Sequence, residues 1–204
     1  TVDFLRRLEA NNNRVWFNEH KEEFLKIQER FYRFTEELIN EIALFDPSVR
    51  GLNAKDCTYR IYRDIRFSED KRPYKHHLGA FICPGGKKSG YSGYYFHVST
   101  GGADNYPDAH MLAVGDYCFT PQVLKILRED ICNGEGDFEE TLRIASPEFK
   151  LDTEGALKRN PKGFPTDAPY SEYLRLKSYC LCYMPDESFI YKENLASRVA
   201  ALFR

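Results

Sequence analysis

Apolar residues recur at helical spacing through the first 45 residues of the chain. Residues 1–10 predict a short helix, and the polar segment NNNR follows it. A wider apolar stripe over about 15–44 then predicts one long amphipathic helix. Its apolar positions are Phe17, Phe24, Ile27, Phe31, Phe34, Leu38 and Ile42. The pattern ends at Asp46-Pro47, because proline disfavours helical backbone at the residue before it.

The spacing changes to alternation from residue 57 onward. Residues 57–67 predict a strand that places Arg60, Asp64 and Arg66 on one face and Arg63 on the other. Three further apolar runs predict strands at 77–84, 92–99 and 110–119. Four strands in succession favour an antiparallel sheet.

The last third of the chain is mostly helical in pattern. Helices are predicted at 120–132, 137–144, 171–176 and 194–204, with one strand at 179–184. The order of elements predicts an α+β fold in a single domain, residues 1–204. In that fold a mainly antiparallel sheet packs against the long N-terminal helix, and the C-terminal third is helical.

Positive charge is concentrated in the central segment. Residues 50–90 hold ten Lys or Arg and four Asp or Glu, a charge of +6 in a chain whose net charge is −2. The global charge therefore does not indicate a nucleic-acid or membrane binder, but the basic segment indicates an anion site. A solvated or ion-paired surface is the alternative explanation.

Cysteine usage and hydropathy bear on location. The six cysteines are dispersed without a C-x-x-C pair, which is typical of reduced thiols in the cytoplasm. No apolar run approaches 18 residues, so neither a membrane span nor a membrane partner is expected. The sequence implies no cofactor and no metal site, because the histidines have no carboxylate or cysteine at ligand spacing.

The densest chemistry lies in the segment from Arg60 to His77. Arginine presents a planar fork that binds carboxylate or phosphate through two parallel hydrogen bonds. With Asp64 between them, Arg60 and Arg66 are predicted to face a ligand. Arg63 falls on the apolar face, so it is predicted to form a structural ion pair, with Asp70 as a candidate partner.

The residues after this alternating stretch extend the candidate site. The predicted ligand-binding set is Arg60, Arg66, Lys71, Tyr74 and Lys75. The catalytic residues are unknown, and the candidates for proton transfer are Asp64, Lys71, Tyr74 and His76. Secondary candidates for anion contacts are Arg14, Lys158, Arg159 and Lys162. Helix capping by the asparagine-rich turn beside Arg14 is the competing explanation for that turn.

The central segment resembles a signature of the bacterial family called domain of unknown function 2461, R-x-x-R-D-x-R-F-S-x-D-K-x-P-Y. The matching residues are Arg60, Arg63, Asp64, Arg66, Phe67, Ser68, Asp70, Lys71, Pro73 and Tyr74. The opening FLRRLEANNNRVWFNEHK (4–21) is also similar to the family's N-terminal pattern. Residues 100–118 depart from the family pattern, so no role is assigned to that loop. The resemblance implies a shared fold and motif, without an established activity.

Three functions fit these observations. The preferred hypothesis is a protein that binds a phosphorylated or carboxylated small molecule at the Arg/Asp/Lys/Tyr cluster, with enzymatic activity left open. The alternative is a structural or protein-interaction module whose Arg/Asp cluster is an internal ion-pair network. The second alternative is a nucleic-acid-associated module in which the basic segment contacts phosphates. No particular protein partner is indicated.

Overall fold

The computed structural model describes residues 1–101, 106–134 and 137–204. These residues form two compact units. The first unit contains 1–112 and 184–204, and the second contains 113–183. Compactness alone does not test independent folding, so the single-domain assignment of residues 1–204 stays a prediction.

Three helices open the first unit: α1 (Val2–Ala10), α2 (Arg14–Glu19) and α3 (Lys21–Ile42). The single long helix predicted for 15–44 is therefore wrong at one point, since His20 leaves helical geometry between α2 and α3. The local contacts of His20 explain the break. Its Nδ1 lies 2.8 Å from the carbonyl oxygen of Trp16, and its ring stacks on the indole at 4.0 Å.

The apolar faces of these helices form much of the core of the first unit. The buried side chains of α3 include Phe24, Ile27, Phe31, Leu38 and Ile42, which are five of the seven positions in the predicted stripe. Helix α3 packs against the last helix, α9 (Leu195–Phe203). The 3–4 residue spacing of the stripe thus corresponds to a buried face, as expected for an amphipathic helix.

Two short elements follow α3 and were not predicted. They are a 3-10 turn at Pro47–Val49 and α4 (Ala54–Cys57). The side chain of Asn53 caps α4 by accepting a hydrogen bond from the backbone N–H of Lys55 at 3.0 Å. Asn, like Ser, Thr and Asp, is a favoured cap because its oxygen satisfies an otherwise unpaired N–H.

The predicted strand at 57–67 is wrong. Cys57 ends α4, and residues 58–67 form no regular strand. With the other residues that the structure describes, they make two isolated bridges, Thr58 with Ala80 and Tyr62 with Tyr74. Asp64 accepts a hydrogen bond from the backbone N–H of Arg66 at 3.3 Å. Such a local bond offers the backbone an alternative to a strand ladder. The alternating polarity therefore predicted which side chains from Arg60 to Arg66 are exposed, but it did not predict whether the segment pairs as a regular strand.

The strands of the first unit follow the order β1-β2-β3, where the ranges are β1 (Leu78–Ile82), β2 (Gly93–Val98) and β3 (Met111–Asp116). β1 and β2 are antiparallel, with Leu78 opposite Val98. All three strands confirm the predictions for 77–84, 92–99 and 110–119. β3 runs on into the second unit, because its last four residues belong there.

In the second unit the strand order is β3-β5-β4, with β4 at Lys150–Leu151 and β5 at Tyr179–Tyr183. β4 and β5 are antiparallel. Its helices are α5 (Pro121–Asn133), α6 (Asp137–Ile144) and α7 (Ser171–Leu174). The strand β4 was not predicted, since two residues are too few to show a pattern. A small apolar cluster of this unit has Leu174 and Ile131 at its centre.

The α+β prediction is confirmed, with helices on either side of the strands in chain order. The C-terminal segment adds α8 (Glu187–Ile190), which was not predicted, before the predicted helix α9. Within the described ranges, none of the helices combines the length and the apolar character that a membrane crossing requires.

Candidate functional site

From Arg60 to Arg66 the side chains alternate in exposure as the sequence predicts, but Phe67, predicted on the face of Arg63, is 96% exposed. Ile61 is buried, Arg63 is half-buried, and Arg60, Asp64 and Arg66 are exposed. The segment is tied to the loop that follows it, since the backbone N–H of Arg63 donates to the carbonyl of Pro73 at 2.9 Å. Residues 61–63 and 73–75 therefore lie side by side.

Arg63 and Asp70 form an ion pair in the structure, with Nη1 and Oδ2 separated by 2.6 Å. Arg72 binds the same carboxylate, since its Nη2 lies 2.9 Å from Oδ2. The hydrogen bonds from Arg72, and after them the bond from Arg63, hold the pKa of Asp70 below its usual range. The Arg63 side chain keeps 25% of its surface exposed, so the pair is only partly removed from water.

Asp64 pairs with Arg66 instead of lying between two arginines. Arg66 donates from Nε to Oδ1 at 2.9 Å and from Nη2 to Oδ2 at 2.7 Å. This pairing lowers the pKa of Asp64 to about 2. No hydrogen bond joins Asp64 to Arg60 in the part of the chain that the structure describes. The fork of Arg66 is thus already occupied, and the side chain is 75% exposed.

A pocket of about 300 Å³ opens beside the other face of the segment. Two guanidinium groups, two phenol rings and one amide contribute to its walls. Its lining residues are Arg14, Asn18, Tyr62, Arg63, Ile65, Pro73 and Tyr74. Arg14, a secondary candidate from the sequence, is therefore brought to the same pocket as Arg63 and Tyr74.

Tyr74 is fixed on its backbone and on its ring. The side-chain amide of Asn12 donates to the Tyr74 carbonyl at 2.9 Å and accepts from the Tyr74 N–H at 3.1 Å. The Tyr74 ring stacks on Phe17, with ring centroids 4.0 Å apart and an angle of 16° between the planes. The asparagine-rich turn and α2 therefore position the motif tyrosine, in addition to capping α2 through Asn13.

Burial is the main cause that raises the pKa of the Tyr74 phenol, and the nearby Tyr62 adds to it. The positive charge of Arg14 acts in the opposite direction and lowers the pKa of the phenol. A raised pKa keeps the phenol protonated at neutral pH, so Tyr74 can donate a hydrogen bond to a ligand.

A family comparison covers the complete sequence. The model of the family described as Conserved hypothetical protein (DUF2461) matches residues 1–204. The chain belongs to the DUF2461 family. No curated protein and no solved structure gives a significant match.

The other candidate residues of this DUF2461 protein have diverse environments. Lys71 donates from Nζ to the Ile65 carbonyl at 3.1 Å. Lys75 is half-buried with its Nζ 5.4 Å from the Tyr59 ring centre, and burial, followed by repulsion from Arg60, lowers its pKa. None of Lys71, Lys75, Arg60 and Arg66 is among the pocket-lining residues.

Three secondary candidates belong to the second unit of the DUF2461 chain. Lys158, Arg159 and Lys162 are exposed there, in the segment before α7. Of the divergent loop at 100–118, residues 102–105 lie outside the described residues. The structure therefore adds no role for these positions.

Histidines form a second cluster in this DUF2461 protein. The rings of His77 and His97 lie 4.3 Å apart. His97 Nε2 donates to the Pro107 carbonyl at 2.9 Å, and Nδ1 accepts from the Tyr95 hydroxyl at 2.9 Å. Burial lowers the pKa of His97 to about 4, with the Pro107 bond acting in the opposite direction. His97 is therefore neutral near pH 7.

Sequence reasoning missed several residues that the fold brings to these sites. Asn18 comes from α2, and Tyr62 comes from the exposed face of the segment. Asp108 lies 32 positions from its partner His76, with 2.5 Å between Asp108 Oδ1 and His76 Nε2. No local spacing marks such pairs, because they form only when distant segments pack together.

Proposed function

We propose that this protein binds a small phosphorylated or carboxylated molecule in the pocket lined by Arg14, Arg63 and Tyr74. The observation that carries the proposal is the presence of two arginines and two tyrosines on the walls of one pocket of about 300 Å³. That volume is at the lower end of those usual for small-molecule sites.

The donors of the pocket suit an oxyanion with an apolar or planar body. The Arg14 guanidinium supplies charge-assisted hydrogen bonds, and the Tyr74 phenol adds a neutral donor. Arg63 adds positive charge to the pocket, although its own guanidinium is already bonded to Asp70. Arg14 makes no ion pair with any residue the structure describes, so its fork is available to a ligand. The Tyr62 ring and Ile65 supply contact surface for the remainder of the molecule.

Of the four proton-transfer candidates, the pocket includes Tyr74 alone. Its protonated phenol suits a hydrogen-bond donor or a general acid. Binding is therefore the proposed function.

A structural role is the second candidate, and a specific observation favours it. Asp70 holds both Arg63 and Arg72, and Asp64 holds Arg66, so two of the three motif arginines are ion-paired, as is Arg72 at a variable position of the motif. These pairs keep part of their surface in water, where solvent screening leaves each of them little net stabilising effect. If these ion pairs have only a structural role, the protein binds no small anion. Anion binding therefore distinguishes the two candidate functions.

The test is a melting scan of the wild type with inorganic phosphate, phosphorylated sugars, nucleoside monophosphates, citrate and a short oligonucleotide. We expect a small anion to raise the melting temperature. Arg14→Ala should then weaken its binding roughly 10- to 100-fold, the effect of losing charge-assisted hydrogen bonds of about 1.5–3 kcal/mol. Binding is measured by calorimetric titration.

Two further arginine variants complete the design. Arg30→Ala removes an exposed arginine of α3 outside the pocket lining, and we expect it to bind like the wild type. Arg66→Ala tests whether the anion binds in the pocket or on the exposed face of Arg60 and Arg66. A loss of anion affinity equal to that of Arg14→Ala would place the site on that exposed face. Absence of any anion-dependent stabilisation of the wild type would favour the structural candidate. Stabilisation by the oligonucleotide alone would favour a nucleic-acid module.

We further propose that the protein works in a bacterial cytoplasm. Cys57, Cys118, Cys132, Cys180 and Cys182 form no disulfide bond. Burial raises the pKa of Cys57 to about 11, so this thiol stays protonated and unreactive. Cysteines without disulfide bonds are consistent with a reducing compartment.

A further inference from the structure

Three potential metal ligands from distant parts of the first unit come together beside β1. Glu9 lies in the last turn of α1, His76 precedes β1, and Asp108 precedes β3. One ligand atom from each side chain lies within 4.8 Å of the other two. The group contains one imidazole nitrogen and two carboxylates.

Backbone contacts fix two of the three residues. The Ser99 hydroxyl donates to the His76 carbonyl at 3.4 Å, and the Gly101 N–H donates to the Asp108 carbonyl at 2.9 Å. His76 is also buried, with 7% of its surface exposed. The histidine and one carboxylate are thus held in place before any ion arrives, which lowers the cost of ordering them.

The charges of this group are incompletely balanced by the protein. Glu9 and Asp108 are both acidic, and Glu9 forms no hydrogen bond or ion pair with the residues that the structure describes. Arg72 lies near enough to interact electrostatically with both carboxylates. Its own guanidinium, however, is hydrogen-bonded to Asp70. A divalent cation between the two carboxylates would neutralise both.

We propose that Glu9, His76 and Asp108 bind a divalent first-row transition metal such as Mn²⁺, Fe²⁺ or Zn²⁺. Mixed nitrogen and oxygen ligands suit these ions, whereas Mg²⁺ and Ca²⁺ prefer oxygen ligands throughout. Three protein ligands also leave coordination positions for water or for a bound molecule. On binding, the contact between His76 Nε2 and Asp108 Oδ1 is replaced by a bond from each atom to the metal. The neutral imidazole then carries its proton on Nδ1.

The experiment titrates EDTA-treated full-length protein with MnCl₂, ZnCl₂ and MgCl₂ and measures bound metal and melting temperature. We expect one Mn²⁺ or Zn²⁺ per chain and a higher melting temperature, with a weaker effect of Mg²⁺. Glu9→Gln should lower the affinity at least tenfold. Asp108→Asn should do the same.

Matched variants distinguish this site from other metal-binding groups. Glu19→Gln makes the same chemical change at an exposed position in α2, and we expect wild-type affinity. Co²⁺ should give a visible spectrum without a thiolate charge-transfer band, which excludes the cysteines as ligands. His76→Gln should also lower the metal affinity. If that variant fails to fold, the affinity of the milder variant Glu9→Gln tests the site. Wild-type affinity of both carboxylate variants, or no stoichiometric binding at all, would overturn the proposal.

Discussion

Replacing Phe17 by alanine should lower the unfolding free energy of the first unit by about 3–5 kcal/mol, the usual cost of removing a buried phenylalanine ring. Phe17 is 1% exposed, stacks on Tyr74, and contacts the Phe24 ring with centroids 5.1 Å apart. The change also removes the support behind Tyr74, which lines the pocket. Anion binding should therefore weaken together with stability.

The measurement is denaturant unfolding followed by tryptophan fluorescence. The single tryptophan, Trp16, lies next to Phe17, so its signal reports on the first unit. Phe67→Ala is the matched control, because the same change occurs there on a side chain that is 96% exposed. It should cost less than about 0.5 kcal/mol. Equal effects of the two variants would contradict the packing that the structure shows.

Acidification should destabilise the first unit through the buried His97. Its pKa is about 4 in the folded protein and 6.5 as an ordinary histidine, so below pH 6.5 the unfolded chain binds more protons than the folded one. Stability therefore falls as the pH drops from about 6.5 and levels off below about 4. The contribution of His97 between pH 7 and pH 4 is about 3 kcal/mol.

The control for this effect is His97→Gln, which retains one N–H donor and one acceptor but does not titrate. Denaturation curves in EDTA at each pH should show that the wild type loses about 3 kcal/mol more than the variant. Acidic groups such as Asp64 titrate in both proteins, so their effect cancels in the difference. Parallel stability curves would show that His97 is not the responsible group.

The predictable parts of the fold are those with strong periodicity. The buried face of α3 and the strands β1 and β2 follow directly from spacings of 3–4 and 2 residues. The segment at 57–67 has the same alternation, but Asp64 accepts from the nearby Arg66 backbone N–H, and the segment forms no ladder with the described residues. The break at His20 likewise depends on a ring stacking onto Trp16, which apolar spacing does not encode.

The candidate site was predictable where neighbouring residues interact. Arg63 and Asp70 are seven positions apart, and the inward direction of Arg63 pointed to such a partner. The pocket was not predictable in the same way, because Arg14 reaches it only when α2 packs on the central loop. Arg14 and Arg63 are 49 positions apart in the sequence, so the periodicity of apolar residues does not predict that they meet.

The segment at 57–67 has a consequence for solubility. In the first unit β1 is the outermost strand, and all five of its residues are buried. An uncovered apolar edge strand is a template for aggregation. Thr58 bridges to Ala80, and the Tyr59 N–H donates to the Gly79 carbonyl at 3.0 Å, so the start of the segment occupies this edge. A variant that detaches the segment after Thr58 from β1 thus exposes the edge of that strand. We expect such a variant to self-associate before it unfolds.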